Sequence, residues 1–418
     1  MGKVYDIVII GGGAAGLYAA ATLSSLNMEG AGFKVLVLEK MHRCGLKIGI
    51  TGKGRCNLTN TKPWEEFSAH IHPKNIFFKN SFYGMSNLST MEFFEKIGLP
   101  LVVERGDRVF PQSMKATDVP AILEKHILEG GVEIKKNAPV HQIKHVLHED
   151  GNLSPDKLFL VEYGEGEGVV SRKIIIATGG LSYKTTGSTG DGYDFAKSLG
   201  HKISRCFPSL TALRPKGYRE EYHGISLKNV SLQLVVNGSV VQEEFGDLDF
   251  TNGGIEGPIG FKLSRKGVYS LINGQKVGIV LDLKPAVSHK QLEDRISREV
   301  SQMKGNQLKG VLPKLLPQKL VPLFVEANKN LTLENLPEKL KSWSFPVEGY
   351  VGYERCVVTA GGVQLAEVSQ KTMESKLVKG LYFAGEILDL DGDTGGYNLQ
   401  IAFSTGALAA TSAAKATI

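Results

Sequence analysis

The chain has 418 residues, of which 42% are hydrophobic and 22% charged, and it carries a formal net charge of +6. That length allows two or three domains with their own cores, and the composition is that of an ordinary soluble globular protein. The positive balance is modest, with no dense Lys/Arg run interleaved with aromatics, so nucleic acid is not an expected partner.

The first forty residues organise the reading. Asp6-Ile7-Val8-Ile9-Ile10 is short, β-branched and closed by glycine, which predicts a buried parallel strand. Gly11-Gly12-Gly13-Ala14-Ala15-Gly16 follows at once and runs into an alanine-rich helix. In a Gly-x-Gly-x-x-Gly of this kind Gly11 makes the tight turn, Gly13 admits a pyrophosphate, and Gly16 lets helix and strand pack closely. The phosphates then meet free N–H groups at the positive end of the helix. A second strand, Phe33 to Leu38, ends in Glu39, where a carboxylate takes ribose hydroxyls and repels a 2′-phosphate. Strand, helix and acid in this order predict a dinucleotide site, although small residues also serve plain turns.

Residues 43–60 are too rich in glycine and charge for a core element. Such a loop can wrap a ligand with main-chain amides while Arg43, Lys47 and Arg55 offset negative charge. A flexible surface loop is the plainer reading of the same composition. Residues 61–130 read as mostly helical, with amphipathic stretches at Ser89–Ile97 and Asp118–Leu128. A short strand follows at Gly131–Ile134, and Val140 lies in the next extended piece. Phe159–Tyr163 and Lys173–Ile176 predict a hairpin around a glycine-rich turn, the second strand running into Ala177-Thr178-Gly179-Gly180. At such a place FAD two-domain proteins bring the chain back across the cofactor. Asp191, in Thr186-Gly187-Ser188-Thr189-Gly190-Asp191-Gly192, stands either at the cofactor or as the cap of the following helix.

Beyond Pro208 short strands alternate with glycine turns to about Ile279, predicting a small β domain, a barrel or sandwich. It contains Phe250-Thr251-Asn252-Gly253-Gly254-Ile255-Glu256-Gly257-Pro258. Asn252 is a candidate substrate contact if this segment faces the flavin, and the corner of a β-turn otherwise. His289 to Asn328 turns helical, with lysine-rich faces. The last quarter brings a strand ending in Gly385-Glu386, then Gly395-Gly396-Tyr397-Asn398-Leu399-Gln400 and a small-residue helix from Ile401 to Lys415. Glu386 is placed to bond a ribityl hydroxyl. The helix opening at Asn398-Leu399-Gln400 can aim N–H groups at a flavin pyrimidine, where negative charge grows on reduction. A capped C-terminal helix alone accounts for the alanines but not for the glycine-acid cluster before them.

Cys44, Cys56, Cys206 and Cys356 show neither CxxC nor metal-ligand spacing, which fits a reducing cytosol without a zinc site. The apolar stretch from Ile7 to Leu26 holds the fingerprint glycines rather than a signal or membrane segment, so a cytoplasmic protein without membrane contact is expected.

Taken together, the Gly-x-Gly-x-x-Gly, Thr51-Gly52-Lys53-Gly54-Arg55-Cys56-Asn57-Leu58-Thr59-Asn60, Ala177 to Gly180, Thr186 to Gly192 and the Gly385-Glu386 to Gln400 segment resemble the aminoacetone oxidase/BaiN-type FAD-dependent oxidoreductases. The resemblance spans nearly the whole chain. It implies an α/β fold: a glutathione-reductase-like FAD-binding Rossmann domain with an inserted small β domain and a helical segment. The expected boundaries are 1–205 with 350–418 for the FAD domain, 206–285 with 330–349 for the β domain, and 286–329 for the helical insertion. The residues it implies at the FAD are Gly11, Gly13, Ala14, Ala15, Gly16, Glu39, Lys40, Lys47, Gly52, Gly54, Arg55, Cys56, Asn57, Val140, Ala177, Thr178, Gly179, Gly180, Asp191, Gly385, Glu386, Gly396, Asn398, Leu399 and Gln400. Two departures stand out. Lys53 interrupts the glycines before Arg55, and Asn252 and Glu256 replace a histidine and a serine in the β-domain motif.

The expected activity is hydride transfer between non-covalent FAD and a small organic substrate, by amine oxidation or by reduction of an unsaturated compound. No second Gly-x-Gly-x-x-Gly follows a later strand, so NAD(P)H is expected only as a transient electron donor. A flavin-dependent RNA-modifying enzyme and a non-catalytic flavin-binding module are the other two classes the sequence leaves open.

Overall fold

The computed structural model describes residues 4–146, 158–304 and 307–417. In chain order, β1 (Val4–Ile10) leads into α1 (Ala14–Met28) and β2 (Val35–Leu38). After the loop that contains a 3-10 segment at Ile48–Gly54 come the short β3 (Ile71–His72) and helices at Asn75–Gly84 and Asn87–Lys96. A hairpin of Leu101–Glu104 and Arg108–Pro111 then precedes α2 (Asp118–Glu129). Next are β4 (Glu133–Lys135), β5 (Val140–His145), β6 (Phe159–Tyr163), β7 (Glu167–Ile176) and α3 (Asp191–Ser198). The following region holds β8 (Leu213–Pro215), β9 (Ile225–Val236), β10 (Ser239–Thr251), β11 (Gly254–Glu256), α4 (Gly257–Ile272) and β12 (Val277–Asp282). It continues through α5 (His289–Ser301) and α6 (Gln307–Leu315) to β13 (Trp343–Tyr350). Residues 305 and 306 of the expected helical run lie outside the described residues. Finally β14 (Leu381–Phe383), β15 (Asp391–Gly392) and α7 (Tyr397–Lys415) close the chain.

The chain divides into two compact units, residues 1–207 with 358–418 and residues 208–357. The first is built on a sheet in the order β4-β2-β1-β7-β6-β5, with β14 beside β7. β1 runs parallel to both β2 and β7, and four consecutive residues, Ile7 to Ile10, are buried, as a sheet covered on both faces demands. β6 and β7 form the expected hairpin. α7 lies along α1, and Gly406 makes that approach possible: a Cβ there would stand 2.4 Å from the Ala15 carbonyl oxygen.

In the second unit β8-β11-β10-β9-β12-β13 close into a barrel. α4 corrects the expectation of strands and turns throughout this region. Its glycines at 257, 260 and 267 mask a helical pattern in which Ile259, Leu263 and Val268 are buried. Residues 350–357, expected with the FAD domain, belong to this unit because Val351 N–H donates to Ala212 O at 3.0 Å and Val357 N–H to Leu210 O at 3.1 Å. Likewise the hairpin at 101–111 interrupts the expected helical stretch, turning at Gly106-Asp107 with both residues at positive φ.

Candidate functional site

The site begins where β1 and β7 end together. Ile10 lies opposite Ile176, so Gly11 and Ala177-Thr178 leave the sheet at the same edge. The chain turns from β1 towards β2 on one side and meets β7 on the other, which makes this edge a topological switch point with a crevice. α1 opens there, and the N–H groups of its first turn have no carbonyl one turn back to receive them. Gly16 is required for the close packing, since a Cβ would lie 1.8 Å from the Gly11 oxygen. Gly13, by contrast, faces open space, with nothing within 4 Å of where its Cβ would be. The Thr178 hydroxyl is buried without a hydrogen-bond partner among the described residues. An open cradle, unfilled N–H groups and an orphaned hydroxyl at one strand edge fit a dinucleotide pyrophosphate.

Glu39 sits at the end of β2, 8% exposed, with its Oε2 accepting the Gly12 N–H and its Oε1 the Met41 N–H, both at 2.7 Å. Burial raises its carboxyl above the ordinary value, and the two amides only partly offset this. The Ala138 N–H donates to the Glu39 carbonyl at 2.9 Å, which brings the segment leading to Val140 beside the acid. Lys40 pairs with Asp191 at 2.6 Å and also bonds Thr189. Asp191 is the first residue of α3 rather than its cap. Burial disfavours its charge, yet Lys40 and Thr189 hold its carboxyl below the usual value.

Residues 43–60 do not form a free surface loop. Cys44, Ile48, Cys56 and Leu58 are buried, and Leu58 N–H donates to Val109 O at 2.9 Å. Burial pushes the Cys44 and Cys56 thiols up to about 12, so neither is a thiolate at neutral pH. Lys47 reaches Glu386 at 2.7 Å and also bonds Ser182. The other Glu386 oxygen accepts from Ser182 Oγ at 2.7 Å and from the Thr359 N–H at 2.9 Å. Burial opposes charge on Glu386, but the Lys47 ammonium and these donors hold its carboxyl below the ordinary value. Arg55 pairs with Glu104 at 2.9 Å and lies over the Phe110 ring at 4.4 Å.

The fourth part is the start of α7. Gly396, left-handed at φ +93°, precedes Tyr397, and Asn398 Nδ2 donates to Gly392 O at 2.7 Å while its Oδ1 accepts the Gly392 N–H at 2.8 Å. With its amide in the orientation that satisfies both ends, Asn57 accepts from the Gly396 N–H at 3.1 Å and donates to Thr59 O at 2.9 Å. Gln400 turns inward: its Nε2 donates to Met85 O, Thr90 Oγ1 and Ser404 Oγ at 2.9–3.1 Å, while its buried Oε1 has no hydrogen-bond partner among the described residues. Leu399 is partly buried.

Two residues beside this helix carry no expectation from sequence. His70 Nδ1 lies 2.8 Å from one Asp393 oxygen and His72 Nε2 lies 3.2 Å from the other. The His70 ring packs on Tyr397 at 4.6 Å, and β3 pairs with β15 so that His72 opposes Asp391. Burial disfavours charge on Asp393, but the two imidazoles hold its carboxyl down at about 2. His70 ends the 3-10 turn that precedes β3 and His72 lies in β3, and more than three hundred positions separate them from their aspartate.

Asn252 is the corner of the β10–β11 hairpin, with Thr251 Oγ1 accepting the Gly253 N–H at 3.1 Å and Asn252 Oδ1 held by Arg355. These are the contacts of a turn corner. Among the described residues no cluster of His, Cys, Asp and Glu could hold a metal ion, and no helix is long and apolar enough to cross a membrane.

A family described as HI0933-like protein Rossmann domain matches residues 5–412. A 3-dehydro-bile acid delta(4,6)-reductase of Clostridium scindens is 31% identical over 420 residues, 98% of this chain and 99% of the relative. A ribosomal RNA dihydrouridine synthase of Haemophilus influenzae is 30% identical over 423 residues, 97% of each. Among solved structures, a 3-ketosteroid-delta4-(5alpha)-dehydrogenase of Rhodococcus jostii shares the fold, with a TM-score of 0.52 at 14% identity, covering 99% of this chain and 97% of that one.

Proposed function

Because the chain belongs to the HI0933-like Rossmann family and is an FAD-dependent oxidoreductase, we propose that it delivers a hydride to a carbon–carbon double bond conjugated with a carbonyl group. The relatives are, by name, a delta(4,6)-reductase of a 3-dehydro substrate and a dihydrouridine synthase, and both reactions saturate such a bond. Bound FAD supplies the hydride. One observation supports a flavin at this site: the start of α7, pinned by Asn398 and Asn57, leaves the N–H groups of its first turn without carbonyls one turn back. Such an end stabilises the negative charge of the reduced cofactor, which supports flavin redox chemistry in either direction, and the direction of transfer is taken from the relatives' names.

The remaining residues bind and orient. Glu39 takes the adenosine ribose, the α1 N–H groups take the pyrophosphate, and the Lys47–Glu386–Ser182 cluster lies along the ribityl chain. Lys40 and Asp191 neutralise one another beside the adenosine, and Val140 offers backbone there. Gly52, Gly54, Arg55, Cys56 and Asn57 shape the wall between the ribityl chain and the start of α7, as do Gly179, Gly180 and Gly385 on the strand-end side. NADH or NADPH binds transiently as the electron source. Cys44 and Cys56, buried with their thiols pushed up, suit a cytoplasmic enzyme without a thiol nucleophile.

Anaerobically reduced protein mixed with an enone, a dienone steroid, a uridine oligonucleotide and the saturated analogue of each tests this. Rapid flavin reoxidation by enone or dienone, and none by saturated analogues, is expected. Reoxidation by the oligonucleotide alone transfers the reading to RNA, as the ribosomal RNA relatives favour. Reduction of the oxidised flavin by amines, with no response to any unsaturated compound, reverses the direction of transfer.

A further inference from the structure

Inside the unit of residues 1–207 and 358–418, the Tyr18 hydroxyl on α1 and Gln400 Oε1 on α7 are buried without a hydrogen-bond partner among the described residues. Both residues are 0% exposed. Thr90, on the helix at Asn87–Lys96, stands beside each of them. Its Oγ1 accepts from Gln400 Nε2 at 2.9 Å, and its hydroxyl is the group that tempers the upward push of burial on the Tyr18 phenol. The two atoms therefore flank one side chain where three helices meet.

The hydrogens of this cluster do not balance among its own groups. Gln400 Nε2 has two, shared by Met85 O, Thr90 Oγ1 and Ser404 Oγ. Ser404 gives its own to Met85 O at 2.7 Å. Tyr18 then keeps a donor with no acceptor, and Gln400 Oε1 is an acceptor with no donor. A bond between Tyr18 and Thr90 would satisfy the phenol and still leave Oε1 bare. The Tyr18 ring packs on Phe93, Phe94 and Phe403 with centroids 4.9–5.9 Å away, so the walls beside the hydroxyl are carbon and supply no partner. A buried donor and a buried acceptor left unmade each carry their full desolvation cost.

We propose that the junction of α1, α7 and the Asn87–Lys96 helix is a binding site for one water molecule, which accepts from the Tyr18 hydroxyl and donates to Gln400 Oε1. The Thr90 hydroxyl, with its hydrogen uncommitted among the described residues, gives the third bond usual for a buried water. Gln400 is in the first turn of α7, so the water ties the opening of that helix to α1. The site is made of protein groups alone and stands wherever the cofactor binds.

The test is a crystal structure of the purified holoprotein at a resolution that shows ordered water, together with the thermal midpoint of Tyr18→Phe. One density peak within hydrogen-bond reach of both Tyr18 Oη and Gln400 Oε1 is expected in the wild type. No peak there overturns the proposal, whichever protein group either atom has found. The variant separates a hydroxyl that holds a water from an idle one. Removing the first lowers the midpoint by roughly 2–5 °C. Removing the second leaves the midpoint equal or raises it, and that result also overturns the proposal. Should Tyr18→Phe fail to fold, the wild-type density decides alone.

Discussion

Burial works against charge on Glu39, the Gly12 and Met41 amides offset part of that, and the proposed adenosine ribose would add a further donor. Replacing it with Gln keeps the size and removes the charge-assisted hydrogen bond, so FAD binding to apoprotein should weaken by roughly 1–3 kcal/mol in a fluorescence titration. Unchanged affinity would put the adenosine elsewhere. Asp393 makes the second residue-scale prediction. Its carboxyl is held at about 2 in the folded chain against an ordinary 3.8. A depressed carboxylate contributes stability that is complete above its unfolded value and disappears as pH falls through its folded one. The difference amounts to about 2–3 kcal/mol. Asp393→Asn should therefore be less stable than wild type at neutral pH, and the gap in denaturant midpoint should close as the pH falls from about 4 to about 2. A gap independent of pH would mean that lost packing, and not charge, is being measured.

At the scale of elements, what could be read from the sequence is what the sequence encodes locally. β1, the glycine turn and α1 are contiguous, so period, turn chemistry and helix entry stand in one short window, and the same holds for the hairpin of β6 and β7. α4 escaped because three glycines dilute its apolar face, and the 101–111 hairpin because it is brief and flanked by strong helices. Site residues split in the same way. Glu39 and Gly16 follow from position in a motif, whereas the inward turn of Gln400 and the His70–Asp393–His72 cluster depend on contacts between segments far apart in the chain. The α1–α7 pair carries the element-scale test. A side chain at Gly406 meets the Ala15 carbonyl, which is backbone and cannot swing aside. Gly406→Val should part the two helices and cost roughly 1–3 kcal/mol, read as a lowered thermal midpoint of the apoprotein. A midpoint equal to wild type would show that the helices can separate freely.

For the molecule as a whole, the two units have separate cores, and every candidate cofactor residue is in the unit of residues 1–207 and 358–418. A ligand stabilises only what it binds in the folded state, so FAD should act on that unit and leave the barrel unit unmoved. The chain carries its own reporters, since it has two tryptophans and each unit holds one. Trp64 sits among Phe78, Phe82 and Tyr83, while Trp343, 3% exposed, packs on Phe324 and Phe345. Trp343→Phe leaves fluorescence that reports on the first unit, and Trp64→Phe leaves fluorescence that reports on the second. At FAD a hundredfold above its dissociation constant the linkage is about 2.7 kcal/mol, which for a unit of this size is a rise of roughly 5–10 °C in midpoint. The Trp64 signal should show that rise and the Trp343 signal should show none. Equal rises in both would mean that the units unfold as one, and a rise confined to the Trp343 signal would move the cofactor to the barrel.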